Sequence, residues 1–209
     1  LLFRPRTAQI LGRSGLLVIT VTGASAAIAL PVAWLTVRTD LPLRRMWGVL
    51  TALPLVIPSY VGAFLVVSAL GPKGLVQGLL SGPFGIERLP VIYGLPGATI
   101  TLALLSYPYV LLTVRGVLAR LDPALEESAR SLGAGPWRVH LRVVLPQLRP
   151  AIASGSLLVG LYTLSDFGAV SLLRYETFTW AIYQQYQSAL DRSVAAVLSL
   201  VLIALAVLI

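Results

Sequence analysis

Asp166 has the setting most in need of a chemical explanation: it stands in the run from Ala151 to Leu173, which holds no other charged side chain. A carboxylate in an apolar run costs on the order of 2.5–3.5 kcal/mol on insertion scales, so it must face a polar interior or water. Counted from a helix start near Ala151, it lies about 22 Å along the axis, past the bilayer midplane toward the outside. Two readings fit. In one it is a polar point on a translocation path, with Tyr162 and Ser165 beside it and Tyr60 contributed from earlier in the chain. In the other it caps a helix, or ties two helices together, where a span frays. Neither is catalysis: no Ser/His/Asp set, acid pair or histidine cluster converges in any apolar run. Cysteine is absent and His140 is the single histidine, which leaves no thiolate nucleophile, disulfide or Cys/His metal site. The expectation is no catalytic residue, no metal ligand set and no enzyme activity in this chain.

The elements that must hold such a residue are membrane helices. With 57% hydrophobic and 11% charged residues and a mean hydropathy of +0.87, the chain has too much apolar surface for a soluble domain to hide. The net charge of +8 comes from sixteen basic residues dispersed between apolar runs, so it indicates orientation in a bilayer and no nucleic-acid partner. Crossing a bilayer takes about 20 apolar residues of helix. Spans are expected at about 15–37, 47–70, 94–115 and 151–173, with a fifth from 193 that is still apolar at Ile209. Prolines at 31, 54, 58, 96 and 108 read as kinks that a membrane bundle tolerates. No repeat or linker divides the chain, so one all-α polytopic transmembrane domain over 1–209 is expected. Its start at Leu1 without methionine and its stop inside an apolar run read as a piece of something longer.

Between the third and fourth spans, residues 119–149 form a loop carrying Arg120, Arg130, Arg138, Arg142 and Arg149. Short cytoplasmic loops collect Lys and Arg, so this one is placed inside. Alternation then puts Arg38 to Arg45 inside, Lys73 and Arg88 outside, and Arg4, Arg6 and Arg13 outside, against the rule. Within the loop, Asp122 suits a helix cap, Pro123 the first turn, and Glu126 and Glu127 the positive end of the dipole. Gly133 ends that helix. A second short helix from Trp137 is expected to stop at Pro146 and Pro150.

The spacing in this loop resembles the EAA motif of permease subunits in binding-protein-dependent ABC importers. Glu127-Ser128-Ala129 stands for the Glu-Ala-Ala triplet, Gly133 for the glycine, Val143 for the aliphatic position and Leu145-Pro146 for the ending. Only Ser128 departs, and it keeps the side chain small. The resemblance implies a MetI-like fold in a multi-pass bacterial inner-membrane protein. It also implies that Glu126, Glu127, Ser128, Ala129, Gly133, Val143, Leu145 and Pro146 belong to a surface docking on an ABC ATPase subunit. The partners it implies are a dimer of those ATPases, a second permease half (fused or separate), a soluble substrate-binding protein and the lipid bilayer. It implies no cofactor on this chain, with ATP and magnesium held by the ATPase. Leu53 to Tyr60, Leu164 to Ala169 and Arg174 to Thr179 are similar to permeases of the ferric iron branch, whose subunits are commonly fusions of two halves, and this chain resembles the first half. Thiamine, polyamine and oxyanion importers share much of the pattern. A secondary transporter driven by an ion gradient is the rival class; it needs ion-coordinating groups at midplane, and only Asp166 is near. The aromatic stretch from Tyr175 to Leu190 reads as an interfacial anchor or as a face met by the binding protein.

Overall fold

The computed structural model describes residues 5–72, 74–84, 91–188 and 193–208, and every regular element among them is helical. Arg4, Lys73 and Arg88, which entered the charge argument, lie outside the described residues. In chain order the elements are α1 (Pro5–Arg38), α2 (Arg44–Leu50), a 3₁₀ turn (Leu53–Val56), α3 (Ser59–Leu70), α4 (Leu75–Phe84) and α5 (Leu95–Leu118). There follow α6 (Pro123–Ser131), α7 (Pro136–Val139), a π turn (His140–Val144), α8 (Leu145–Ser165), α9 (Gly168–Leu172), α10 (Phe178–Ser188) and α11 (Ser193–Leu208). Four stretches are long and apolar enough to cross a membrane: Arg6–Arg38, Ser59–Ser81, Leu95–Leu118 and Pro136–Ser165.

The third of these is the centre of the bundle. Along α5, Ala98, Leu102, Leu105, Val110, Leu111, Val114 and Leu118 are buried. On one side α1 lays a stripe at helical spacing, Leu17, Val21, Ser25, Ala29 and Ala33. Thr20 Oγ1 meets Thr99 Oγ1 at 3.0 Å and Ser25 Oγ meets Ser106 Oγ at 3.2 Å. Hydrogen bonds between membrane helices are worth about 0.6–2 kcal/mol each. On the other side α8 crosses α5 at Gly155, where a Cβ would stand 2.6 Å from Val110 Cα. Only glycine permits that approach. Thr113 Oγ1, donating to Ala151 O at 2.9 Å, pins the crossing.

The structure corrects five expectations about helix limits. The helix containing the first span starts well before residue 15: α1 is buried at Thr7, Ile10 and Ser14, so the packing stripe continues past Arg13. Apolar composition marks the extent of the bilayer, which is shorter than the helix. The second span is broken where a continuous helix over 47–70 is expected. Pro54 heads the 3₁₀ turn, and Ile57, forced extended by Pro58, sits at φ −81°, ψ 120°. Carbonyls near the break find other donors: Tyr107 Oη gives a 2.8 Å hydrogen bond to Thr51 O, and Arg115 Nη1 one of 3.0 Å to Gly48 O. Pro96 opens α5 within its first turn and so is no kink, while Pro31 and Pro108 do lie inside helices.

The fourth correction concerns Pro146 and Pro150, which do not stop the second loop helix. From Pro136 to Ser165 the helix is unbroken, because the π turn shifts the hydrogen-bond register: Leu145 N bonds His140 O, five residues back. Pro146 then falls where its missing N–H is not required. This helix ends at Ser165, with Asp166 extended at φ −68°, ψ 131°, so the fourth span does not continue to Leu173.

Candidate functional site

The loop between α5 and α8 is built by its caps. Asp122 Oδ1 accepts from Ala124 N at 2.9 Å, Pro123 starts α6, and Gly133 ends it at φ +84°. Gly133 N bonds Arg130 O at 2.9 Å and Ala134 N bonds Ala129 O at 3.1 Å, the paired closure of a Schellman turn. A Cβ built on Gly133 meets nothing within 4 Å, so the turn tip is open.

The sequence-selected residues divide between two faces. Glu127, Ser128 and Gly133 are exposed, Ala129 is half-buried, and Leu132 between them is 89% exposed. Trp137, at the start of α7, is 76% exposed. Glu126 turns the other way and is 8% exposed. Its Oε1 lies 3.2 Å from Arg38 Nη2, at the end of α1, and its Oε2 3.5 Å from Arg130 Nη2. Arg38 Nη2 also bonds Leu121 O at 3.1 Å. Val143, Leu145 and Pro146 are half-buried on the helix that runs on into the membrane. The outward face is small and apolar with charge at its edge, which suits docking. The inward face is an ionic tie. Arg38 was not identified from the sequence as a site residue, because its only visible signal was a positive charge at a span end.

Asp166 sits where two helix breaks meet. With Tyr162 and Ser165 it lines a cavity of about 420 Å³ whose other wall is Leu55 to Ser59, at the interruption before α3. Tyr60 is not part of that lining and is 60% exposed. Asp166 is 7% exposed, and its Oδ1 accepts from Ala169 N at 2.9 Å and Val170 N at 3.3 Å, capping α9. Thr179 Oγ1 donates to its backbone carbonyl at 2.6 Å. Ser165 Oγ donates back to Tyr162 O, and the Tyr162 ring lies 5.9 Å from that of Tyr109. Ser59, missed as a site residue, lines the same cavity as Tyr162 and Asp166. Among the described residues no three His, Asp or Glu side chains gather.

At the same end of the bundle, Arg13 of α1 pairs with Glu176 at 2.7 Å, and Tyr175 Oη donates to Arg13 O at 3.1 Å. Phe178 N donates to Ser14 Oγ at 3.2 Å. α9 closes as α6 does, with Arg174 in the glycine position at φ 57° and its guanidinium 5.2 Å from the centre of the Tyr93 ring. Phe167 and Tyr183 pack ring to ring at 4.8 Å.

Comparison with known proteins agrees with this architecture. Residues 18–209 match the family model described as the inner membrane component of binding-protein-dependent transport systems. The Fe(3+)-transport system permease protein FbpB 2 of Haemophilus influenzae is 38% identical over 209 residues, and the chain spans all of its own length but 38% of that relative. The molybdenum transport system permease protein ModB of Escherichia coli K12 is 34% identical over 203 residues, which are 92% of this chain and 87% of ModB. The fold is that of solved ABC transporters: the methionine transporter MetNI matches with a TM-score of 0.71 at 16% identity, over 96% of this chain and 89% of that one. A bacterial alginate transporter matches with a TM-score of 0.73 at 19% identity, over 100% of this chain and 77% of that one. With a polytopic helical bundle, an EAA-like loop and a family match over most of its length, this chain belongs to the binding-protein-dependent transport system inner membrane components, multi-pass proteins of the inner membrane.

Proposed function

We propose that this chain is a membrane-spanning permease domain of an ATP-driven importer for ferric iron, delivered by a soluble binding protein. The observation that carries the substrate is the 38% identity to a relative named for Fe(3+) transport, which extends over the whole chain. The open face of α6, with Gly133 at its tip, is the surface for an ATPase subunit, and ATP with magnesium belongs to that subunit. A second permease half, fused or separate, completes the path. Relatives named for molybdenum and sulfate transport, at 34% identity each, support an oxyanion as the second reading.

The test is uptake into vesicles holding the assembled transporter and its binding protein, with labelled ferric iron, molybdate and sulfate offered separately. ATP-dependent accumulation of iron alone is the expected result. Accumulation of either oxyanion without iron moves the chain to the second reading, and uptake driven by an ion gradient without ATP overturns the proposal.

A further inference from the structure

Helix α1 is held by an arginine at its carboxyl end and by another about two turns in from its amino end, and each arginine holds a different segment. Inside, Arg38 reaches Glu126 at 3.2 Å and Leu121 O at 3.1 Å, gripping the base of the candidate ATPase-docking helix. Outside, Arg13 reaches Glu176 at 2.7 Å, with Tyr175 and Ser14 adding hydrogen bonds to the segment between α9 and α10. Between them lie twenty-five residue steps of unbroken helix, about 37 Å at 1.5 Å per residue, enough to cross the bilayer core. Asp166, which lines the cavity between the two helix breaks, stands at the other end of α9 from that segment and is tied to the start of α10 by Thr179.

We infer that α1 is a mechanical link between the two faces of the membrane, and that Arg38 is the positioning residue that engages it with the docking helix. This rests on the proposed docking of α6 and goes beyond it, since the chain itself connects α6 only to α5 and α7. The inner pair is not shaped for maximal stability: Arg38 Nε and Glu126 Oε1 are buried without a hydrogen-bond partner although the charges face each other. A buried ion pair with incomplete hydrogen bonding is weak evidence for stabilisation, and a registry role accounts for it better. The outer pair is half open to solvent, 49% and 42% exposed at its two side chains, so it is free to part and re-form. A second route exists through α5, whose leading Gly94 N bonds Leu173 O at 2.7 Å. That route is a backbone contact and contains neither arginine.

The experiment uses the complete transporter in vesicles with its binding protein. Cysteine is absent from this chain, so the pair Arg13→Cys and Glu176→Cys is unique in it and can be joined by a short cleavable linker. Binding-protein-stimulated ATP hydrolysis is read before linking, after linking and after cleavage, in the native background and with Arg38→Met. Linking is expected to cut stimulated hydrolysis at least fivefold in the native background, with recovery on cleavage, and to leave the Arg38→Met background within twofold of its own unlinked value. Arg38→Lys restores the response to linking, which a merely structural arginine does not require. Equal inhibition in both backgrounds, or none in the native one, overturns the inference. Wild-type uptake by a Gly133→Trp variant identifies the separate failure of the docking reading on which it rests.

Discussion

Two helices in this chain end in the same pair of backbone hydrogen bonds, one at each face of the membrane. At α6 the left-handed residue is Gly133, with no atom near its missing side chain; at α9 it is Arg174, whose side chain lies over Tyr93. A glycine in that conformation is unstrained, whereas a side chain there costs about 1–2 kcal/mol. The inner turn therefore leaves space and the outer turn fills it. Around Arg174 the outer cap is knitted to α1 and to α8, through Glu176 with Arg13 and Thr179 with Asp166. Around Gly133 the buried ion pair points inward, from Glu126, while Leu132 and Trp137 are largely exposed. The same local geometry gives an open tip, the proposed docking surface, in one place and a closed cap in the other.

Filling the inner turn breaks that contrast most sharply. Gly133→Trp has room in this chain and should leave its amount in the membrane near normal, at a conformational cost of about 1–2 kcal/mol. Uptake in vesicles should fall at least tenfold while ATP hydrolysis persists. Next in size is the cap of α9. Asp166→Leu removes the acceptor for Ala169 N and Val170 N and should cost about 1–3 kcal/mol, seen as lower membrane abundance. Asp166→Asn keeps an acceptor oxygen, so uptake per unit of membrane protein should stay close to wild type; a fall at normal abundance would instead assign the charge to the translocation path.

The smaller effects sharpen the comparison. Arg174→Gly trades about 1–2 kcal/mol of backbone strain for a ring contact of about 0.5–1 kcal/mol, so thermal melting in detergent should hold steady or rise slightly. Arg174→Ala keeps the strain and loses the contact, and should melt a few degrees lower. The least change is expected from Glu127→Lys. An exposed rim charge is worth about 1 kcal/mol or less, so uptake should drop no more than about fivefold, less in high salt.

Local chemistry was legible in the sequence wherever one residue decides the backbone. Asp122, Pro123 and Gly133 bound α6 as their types require, and α5 lies close to its apolar run because Gly94 and Pro96 begin it and Arg115 marks its last turn. Legibility failed where hydrogen-bond register or distant pairing decides. Pro146 reads as a stop only under a regular helix, and the π turn before it removes that condition, while Pro150 is carried inside the helix that follows. The break between α2 and α3 is invisible to hydropathy, since Thr51 O and Gly48 O are satisfied by side chains from α5. Arg38 acquires its partners, and Ser59 its place beside Asp166, only through the fold, so sequence spacing did not single out either.

The π turn at His140–Val144 has a further consequence, in rotational phase. Each residue of a regular helix turns the chain by about 100°, so a local change in winding re-aims everything on one side of it relative to the other. Trp137 and the loop surface lie before this turn, and Gly155 with the α5 crossing lies after it. The angle between the surface offered to the cytoplasm and the stripe packed in the membrane is thus set by residue count in this short stretch. Substitutions there change contacts, but a one-residue insertion or deletion changes which way the whole loop faces, so chain length at this point is under tighter constraint than side-chain identity.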